Sequence, residues 1–371
     1  MAVDHGAAQT CVRQCIRQCK GSASMLSKVL ESIRKNQTVM QIKTLVVTAL
    51  FALAAAASVD ALAQGPIVIK FSHVVAPDTP KGRAAERFKE LAEQMTGGQV
   101  RVEVYPNSQL YKDREELEAL QLGAVQMLAP SLAKFSPLGV REFEAFDLPY
   151  IFPDKAALYK VTEGRIGRDL LRKLESKGIT GLAFWDNGFK IMSANQPLTS
   201  LKDFEGLRMR IQASKVLDAQ MRMLGAQPMT LAFSEAAPAL RDGVVEGTEN
   251  TPSNMYTQRM HETQSHLTVS NHGYLGYAVI VNKKFWDGLP AATRNTLARA
   301  MREATVYEKK IAQRANDDAM EAIRQAGTTT IHTLTPAQQA EWRRAMQPVY
   351  GQMESRIGKE TVRAILREVE R

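Results

Sequence analysis

Cysteine is missing from this chain after Cys11, Cys15 and Cys19. Their i, i+4 spacing puts the three on one helix face, but no cluster of further ligands follows, so a metal site is not indicated. Past that point disulfides, thiol nucleophiles and cysteine-held metals are excluded. The usual catalytic signatures are missing too: there is no G-x-S-x-G elbow, no H-E-x-x-H, no G-x-x-x-x-G-K-[ST] loop and no G-x-G-x-x-G after the first strand pattern. His261 and His266 stand five apart and do not share a helix face, and nothing in the pattern marks Glu246 and Glu249 as an acid and base pair. No catalytic residue, metal ligand or cofactor is therefore expected. Blocks of one charge are also lacking: the net charge is +9, residues 1–63 supply +4 of it, and no run of five basic residues occurs. Nucleic acid is not an expected partner.

The apolar run Thr44–Ala57 is 14 residues long, short of the roughly 20 that span a bilayer as a helix. Lys43 precedes it and Ala61-Leu62-Ala63 follows, the basic, apolar, small-x-small order of a secretory signal peptide. Residues 1–63 therefore read as an N-terminal extension and signal that export removes, with Met40 as an alternative start. The working protein is expected in the periplasm. All three cysteines would be discarded, and with none after the apolar run a lipid anchor is not expected.

Beyond Pro66 the pattern is α/β. IVIKFSHV alternates as a first strand, APDTPKG turns into the helical GRAAERFKELAEQM, and VRVEVYP, DREELEALQLGAV and MLAP supply strand, helix and strand. ITGLAFWD is a further strand. A second unit begins near Lys190 with LRMRIQ, SKVLDAQMRMLG, PMTLAF and DGVVEGTEN, Ser234 being expected to cap the helix after PMTLAF. HLTVSNHGYLGYAVIVNKKFW then supplies strands that can cross back. The segment Pro290–Gln325 has no internal proline or glycine and reads as one long bracing helix with a stripe of Leu297, Met301, Ala304, Ile311, Ala315 and Ile323. The expected plan has two lobes around a hinged cleft, residues 64–189 plus about 276–315 forming lobe I and 190–275 plus about 316–371 forming lobe II.

GLRMRIQAS places Arg208 and Arg210 on one face of a strand, opposite Met209 and Ile211. That pattern fits a solvated edge strand, or an arginine aimed at an anion. Other polar groups fall near strand ends, where open α/β sheets place ligands: His73, Lys112, Ser131, Trp185, Lys190, Gln212 and Asn250. Arginine holds a carboxylate through two parallel N–H bonds and lysine adds a point charge, so together they suit a small dianion.

The stretches KFSHVVAPDTPKG, EVYPNSQLYKD, EELEALQLGAVQMLAPSLAKF, FDLPYIF, GLAFWDNGFKIMSAN, MRIQASKV, GTENTPSNM and SNHGYLGYAVIVNKKFWDGLP, in this order over Pro66 to about Ile357, carry a resemblance. The chain resembles the periplasmic solute-binding subunits of TRAP (tripartite ATP-independent periplasmic) transporters, most of all the four-carbon dicarboxylate binders. The resemblance implies two α/β domains, a long bracing helix and a ligand enclosed by hinge closure. It implies that Arg210 binds the substrate carboxylate, that Asn250 of the E-N-x-P motif bonds the same group, and that Phe233 lines the pocket floor. The second cation falls on Lys190, where sialic-acid binders of the family carry arginine, which favours a small dicarboxylate. Arg208 stays solvated. After FSE, relatives commonly have Val-Tyr where this chain has Ala236-Ala237-Pro238, so an enlarged pocket is expected. The implied function is a monomeric receptor that binds malate, succinate or fumarate and delivers it to the small and large integral membrane subunits of a permease. The alternatives are a receptor for a uronate or other sugar acid, or an exported enzyme acting on organic acids.

Overall fold

The first sheet grows from short alternating strands whose inward residues meet one layer of helices. β1 (Ile67–Ser72) turns Ile69 and Phe71 inward and pairs in parallel with β2 (Val100–Tyr105). Between them runs helix Pro80–Met95, which starts where the Thr79 side chain accepts the N–H of Gly82 at 3.1 Å and Pro80 takes the first position. Its Ala84, Phe88 and Leu91 cover Phe71 and Val102. A computed structural model supplies these coordinates and describes residues 65–370, with helical positions 27, 28, 31 and 34 before them. The expected signal peptide, Met40 and the three cysteines lie outside the described residues.

β3 (Met127–Leu128), β4 (Ile179–Phe189) and β10 (Tyr274–Asn282) complete the first sheet in the order β2-β1-β3-β10-β4. β10 runs antiparallel to both neighbours and is bulged twice against β4, so the sheet is mixed rather than wholly parallel. The second sheet comprises β5 (Ile191–Ala194), β6 (Arg208–Ile211), β7 (Gln227–Thr230), β8 (Gly247–Asn250), β9 (His266–Val269) and β11 (Thr330–Thr333), ordered β11-β9-β5-β8-β6-β7. Each sheet has its own apolar core, Phe71, Trp185, Val279 and Met301 in one, Met192, Phe204, Met209 and Trp342 in the other.

The chain passes between the sheets three times. Lys190 alone separates β4 from β5, residues 270–273 separate β9 from β10, and the long helix Ala291–Ala326 leads from the first sheet to β11. At 36 residues that helix is about 54 Å long. It packs on helix Pro80–Met95 and β4 on one side and on helix Pro252–Thr257 on the other. This is the two-lobed α/β plan with its brace.

Two local expectations need correction. Ser234 does not cap helix Phe233–Arg241; the cap position is Ala232, whose N–H is taken by Glu235 at 2.9 Å, and Pro238 lies inside the helix. In the long helix the buried stripe runs through Glu308, Ala312, Asn316 and Ala319, while Ile311 and Ala315 are only partly buried. The C-terminal segment packs along both cores: Trp342 and Met346 sit in the second sheet's core, and Val349, Ile357, Val362 and Ile365 join a cluster that holds Phe143 and Leu158 beside the first sheet together with Val216 and Ala219 of helix Lys215–Met223.

Candidate functional site

β6 lies between β7 and β8, so it is an interior strand and not an edge. Its two arginines share a face but not an environment. Arg208, at the outer end, is exposed and bonds Glu246 at 3.2 Å and the Gly243 carbonyl at 3.0 Å. Arg210, two residues nearer the strand's C-terminal end, is 1% exposed. Its Nε and Nη2 donate to the Leu231 carbonyl at 3.1 and 2.8 Å, its guanidinium lies 5.9 Å from the centre of the Phe233 ring, and Nη1 has no partner. A neutral carbonyl thus aims the group and leaves its charge and one nitrogen uncommitted. Burial weakens its hold on the proton, while Asp113, Glu249 and Glu235 strengthen it; a guanidinium stays charged regardless.

Arg210 lines a narrow cavity of about 20 Å³ between the two sheets, with Gln212, Phe233, Asn250 and Asn254 from the second lobe and Lys81, Asp113, Ser131, Lys134 and Tyr277 from the first. The Asn250 amide is oriented by its oxygen, which accepts from Asn254 Nδ2 and from the Thr251 N–H, both at 2.9 Å. Its Nδ2 is left without a partner. Ser131 Oγ bonds Gln212 Oε1 at 2.6 Å from one lobe to the other. Lys134 bonds Glu116 at 2.6 Å and also Asp113. Burial alone would raise Asp113, but Lys134 outweighs it and holds the carboxyl at about 2. Lys81 donates to the Ala129 carbonyl at 3.0 Å and sits 3.8 Å above the Tyr277 ring. Burial, then the charge of Lys134, bring its ammonium down to about 7.

Of the residues expected from sequence, Arg210, Gln212, Asn250, Ser131 and Phe233 come together here. Four others do not line the cavity. Lys190, buried where the chain leaves β4, gives its N–H to Gly273 and its ammonium to Glu249 at 2.9 Å, so its charge is already matched. Lys112 is half exposed and faces Glu235 at 3.6 Å, and it is its neighbour Asp113 that turns inward. Trp185 is a core residue: its ring lies 5.9 Å from Phe71 and Nε1 bonds Thr305 at 2.9 Å. His73 is buried beside Val74 and Val75; burial and then Lys81 hold its imidazole at about 3, so it adds no cation. Ala236 is packed in the core with Leu240 and Met255 and does not widen the cavity.

The reading from sequence missed Lys81, Lys134, Asp113, Asn254 and Tyr277. One signal was available for Lys81: it occupies the first turn of helix Pro80–Met95, where a cation opposes the helix dipole. Lys134 had no such mark.

Beside the cavity lies a larger groove of about 360 Å³ with apolar walls at Leu117, Leu138 and Leu231. Asp113, Lys134, Arg210 and Gln212 border both spaces and so form the partition between them.

Known proteins are similar to this chain in sequence and fold. The family model described as bacterial extracellular solute-binding protein, family 7 (DctP) matches residues 71–356. The C4-dicarboxylate-binding periplasmic protein DctP of Rhodobacter capsulatus is 67% identical over 314 residues, 85% of this chain and 94% of that protein. A TRAP periplasmic solute-binding protein from Shewanella oneidensis, solved with bound succinate, is 41% identical with a TM-score of 0.80, covering 82% of this chain and 100% of that one. One from Pseudomonas aeruginosa, solved with bound L-malate, is 44% identical with a TM-score of 0.76 over 77% of this chain and 100% of that one. On the family match and these identities, this chain belongs to the bacterial extracellular solute-binding proteins of family 7, the DctP family.

Proposed function

We propose that this protein is the extracytoplasmic solute receptor of a TRAP transporter, binding a C4-dicarboxylate such as succinate, malate or fumarate and delivering it to the small and large membrane subunits of a permease. The observation that carries this reading is Arg210, a buried guanidinium with one uncommitted nitrogen, in the same cavity as the uncommitted amide nitrogen of Asn250. One ligand carboxylate takes both donors. The second falls to Lys81, whose ammonium bonds a carbonyl and not a carboxylate, and which replaces Lys190 as the matching cation; Lys134 is already matched by Asp113 and Glu116. Arg210, Lys81 and Lys134 stand against Asp113 and Glu116, an excess of positive charge that suits an anion. A uronate or other sugar acid would present hydroxyl groups to these ammonium groups and leave a charge unmatched in a buried site, which favours the diacid. Similarity to proteins that bind succinate and malate supports the same choice. Residues 1–63 serve as the export signal that brings the receptor to the periplasm.

The role requires no bond to be made or broken. In a thermal-shift panel of dicarboxylates, sugar acids and aromatic acids, the dicarboxylates give the largest stabilisation, about 2.7 kcal/mol at a hundredfold excess over Kd. Succinate or malate incubated with the protein is recovered unchanged. Removing one partner of a buried charged pair costs about 2–5 kcal/mol, so Arg210→Ala weakens succinate binding by roughly 30- to several-thousand-fold in calorimetry. Arg208→Ala leaves it unchanged. Equal effects of the two substitutions would refute the assignment of Arg210.

A further inference from the structure

Asp113 touches both lobes, and we propose that it is the closure latch of the receptor, capping helix Phe233–Arg241 from the opposite lobe and thereby slowing release of the ligand. Asp113 lies between β2 and helix Glu116–Leu122, on the first lobe. One of its carboxylate oxygens meets Lys134 of the same lobe, and the other accepts the backbone N–H of Phe233, first residue of a nine-residue helix of the second lobe. That helix has no side-chain cap at its own Ala232. Glu235 reaches back to the Ala232 N–H, leaving the Phe233 N–H to an acceptor from elsewhere.

The pieces fit a contact made on closing. A helix N-terminus favours an anion, and a charged acceptor makes its hydrogen bond stronger than a neutral one. Lys134 keeps Asp113 ionised, so the acceptor stands ready on its own lobe before the lobes meet. Asp113 also belongs to the partition between the ligand cavity and the outer groove, and Ser131 and Gln212 add a second bond across the same cleft. Parting of Asp113 from Phe233 breaks that partition.

The inference rests on the receptor reading above, and the sign of one substitution separates it from simple electrostatics. Asp113 is an anion beside a dianion site, so charge alone predicts that Asp113→Ala and Asp113→Asn both tighten succinate binding. The latch predicts the opposite for alanine: stopped-flow dissociation about ten- to a hundredfold faster and Kd raised in step. Asparagine keeps an oxygen able to accept the Phe233 N–H, so Asp113→Asn recovers most of the wild-type rate. Melting of the unliganded protein stays near wild type in Asp113→Asn, because the contact with Phe233 belongs to the closed form, whereas Asp113→Ala also strips a partner from buried Lys134 and melts somewhat lower. Unchanged or slower release from Asp113→Ala overturns the latch, as does a large loss of unliganded stability in Asp113→Asn, which would assign Asp113 to folding instead. A wild-type protein that binds no dicarboxylate overturns the receptor reading itself.

Discussion

Lys190 and Glu249 are both fully buried with their charges 2.9 Å apart, and His272 donates to the second Glu249 oxygen at 3.2 Å. Removing one member leaves the other charge without compensation in a medium that solvates it poorly, at a cost of about 3–5 kcal/mol. Lys190→Met is therefore expected to lower the melting temperature of the unliganded protein; a direct ligand contact would instead lower affinity and spare stability. Burial pushes the Glu249 carboxyl up, but Lys190 and His272 outweigh it and hold the group at about 2 against its ordinary 4.5. A carboxyl depressed on folding stabilises the native state fully above its unfolded value and loses that contribution as the pH falls through the folded value. Wild-type stability should thus fall between about pH 4.5 and pH 2 more steeply than that of Glu249→Gln, measured by thermal melts. Residues of this kind also mark what sequence could convey. A cation just after a strand end was legible at position 190, but its partner lies 59 residues on, and only the pairing of β5 with β8 brings the two together. Arg210 was separable from Arg208 only through the family resemblance, because alternation puts both on one strand face and only the fold places Arg210 in the cavity and Arg208 at the exposed end.

The long helix was legible as an element because nothing in Pro290–Gln325 breaks it. Its face was harder to read. A hydrophobic stripe picks Ile311 and Ala315, whereas the helix buries Glu308 and Asn316, since those side chains satisfy backbone groups at the end of β4. Glu308 accepts the Asp186 N–H at 3.0 Å; Asn316 donates to the Asn187 carbonyl at 2.7 Å and accepts the Ser253 N–H at 3.0 Å. Asn316 therefore ties the last turn of the first sheet's strand to the first turn of helix Pro252–Thr257. Gly188 makes this approach possible: its φ is +110°, and a Cβ there would stand 2.7 Å from Asn316 Nδ2. Gly188→Ala meets both a disfavoured backbone conformation and that crowding, each costing about 1–3 kcal/mol. Chemical denaturation is expected to show a loss of that order, and Gly178→Ala, where φ is +72° with open space around the Cβ, should lose less.

At the scale of the molecule, two sheets in series and repeated crossing between them followed from the order of strand and helix patterns. The packing of the last two helices did not, because Val349, Ile357, Val362 and Ile365 would cover either lobe equally well as amphipathic faces. Their choice is made by polar contacts distant in sequence: Arg356 bonds the buried Glu144 at 2.6 Å and Ser136 at 2.7 Å, and Tyr350 donates to the Pro149 carbonyl at 2.9 Å. The crossings matter for function because few residues occupy them. Lys190 and residues 270–273 join the sheets, and the N–H of Lys190 bonded to the Gly273 carbonyl at 2.9 Å ties the two crossings together, so rotation there would part the lobes as units. Arg210 and Asn250 lie on one lobe and Lys81 on the other, so a diacid held as proposed above would pull the two together. Differential affinity of this kind is what shifts a population between open and closed forms. Small-angle scattering should accordingly show a smaller radius of gyration when succinate is added to the wild-type protein. Arg210→Ala at the same succinate concentration should stay expanded, and a monocarboxylate such as butyrate, which engages one set only, should leave the wild type expanded as well. Equal compaction by butyrate and succinate would mean that closure does not depend on bridging the two lobes.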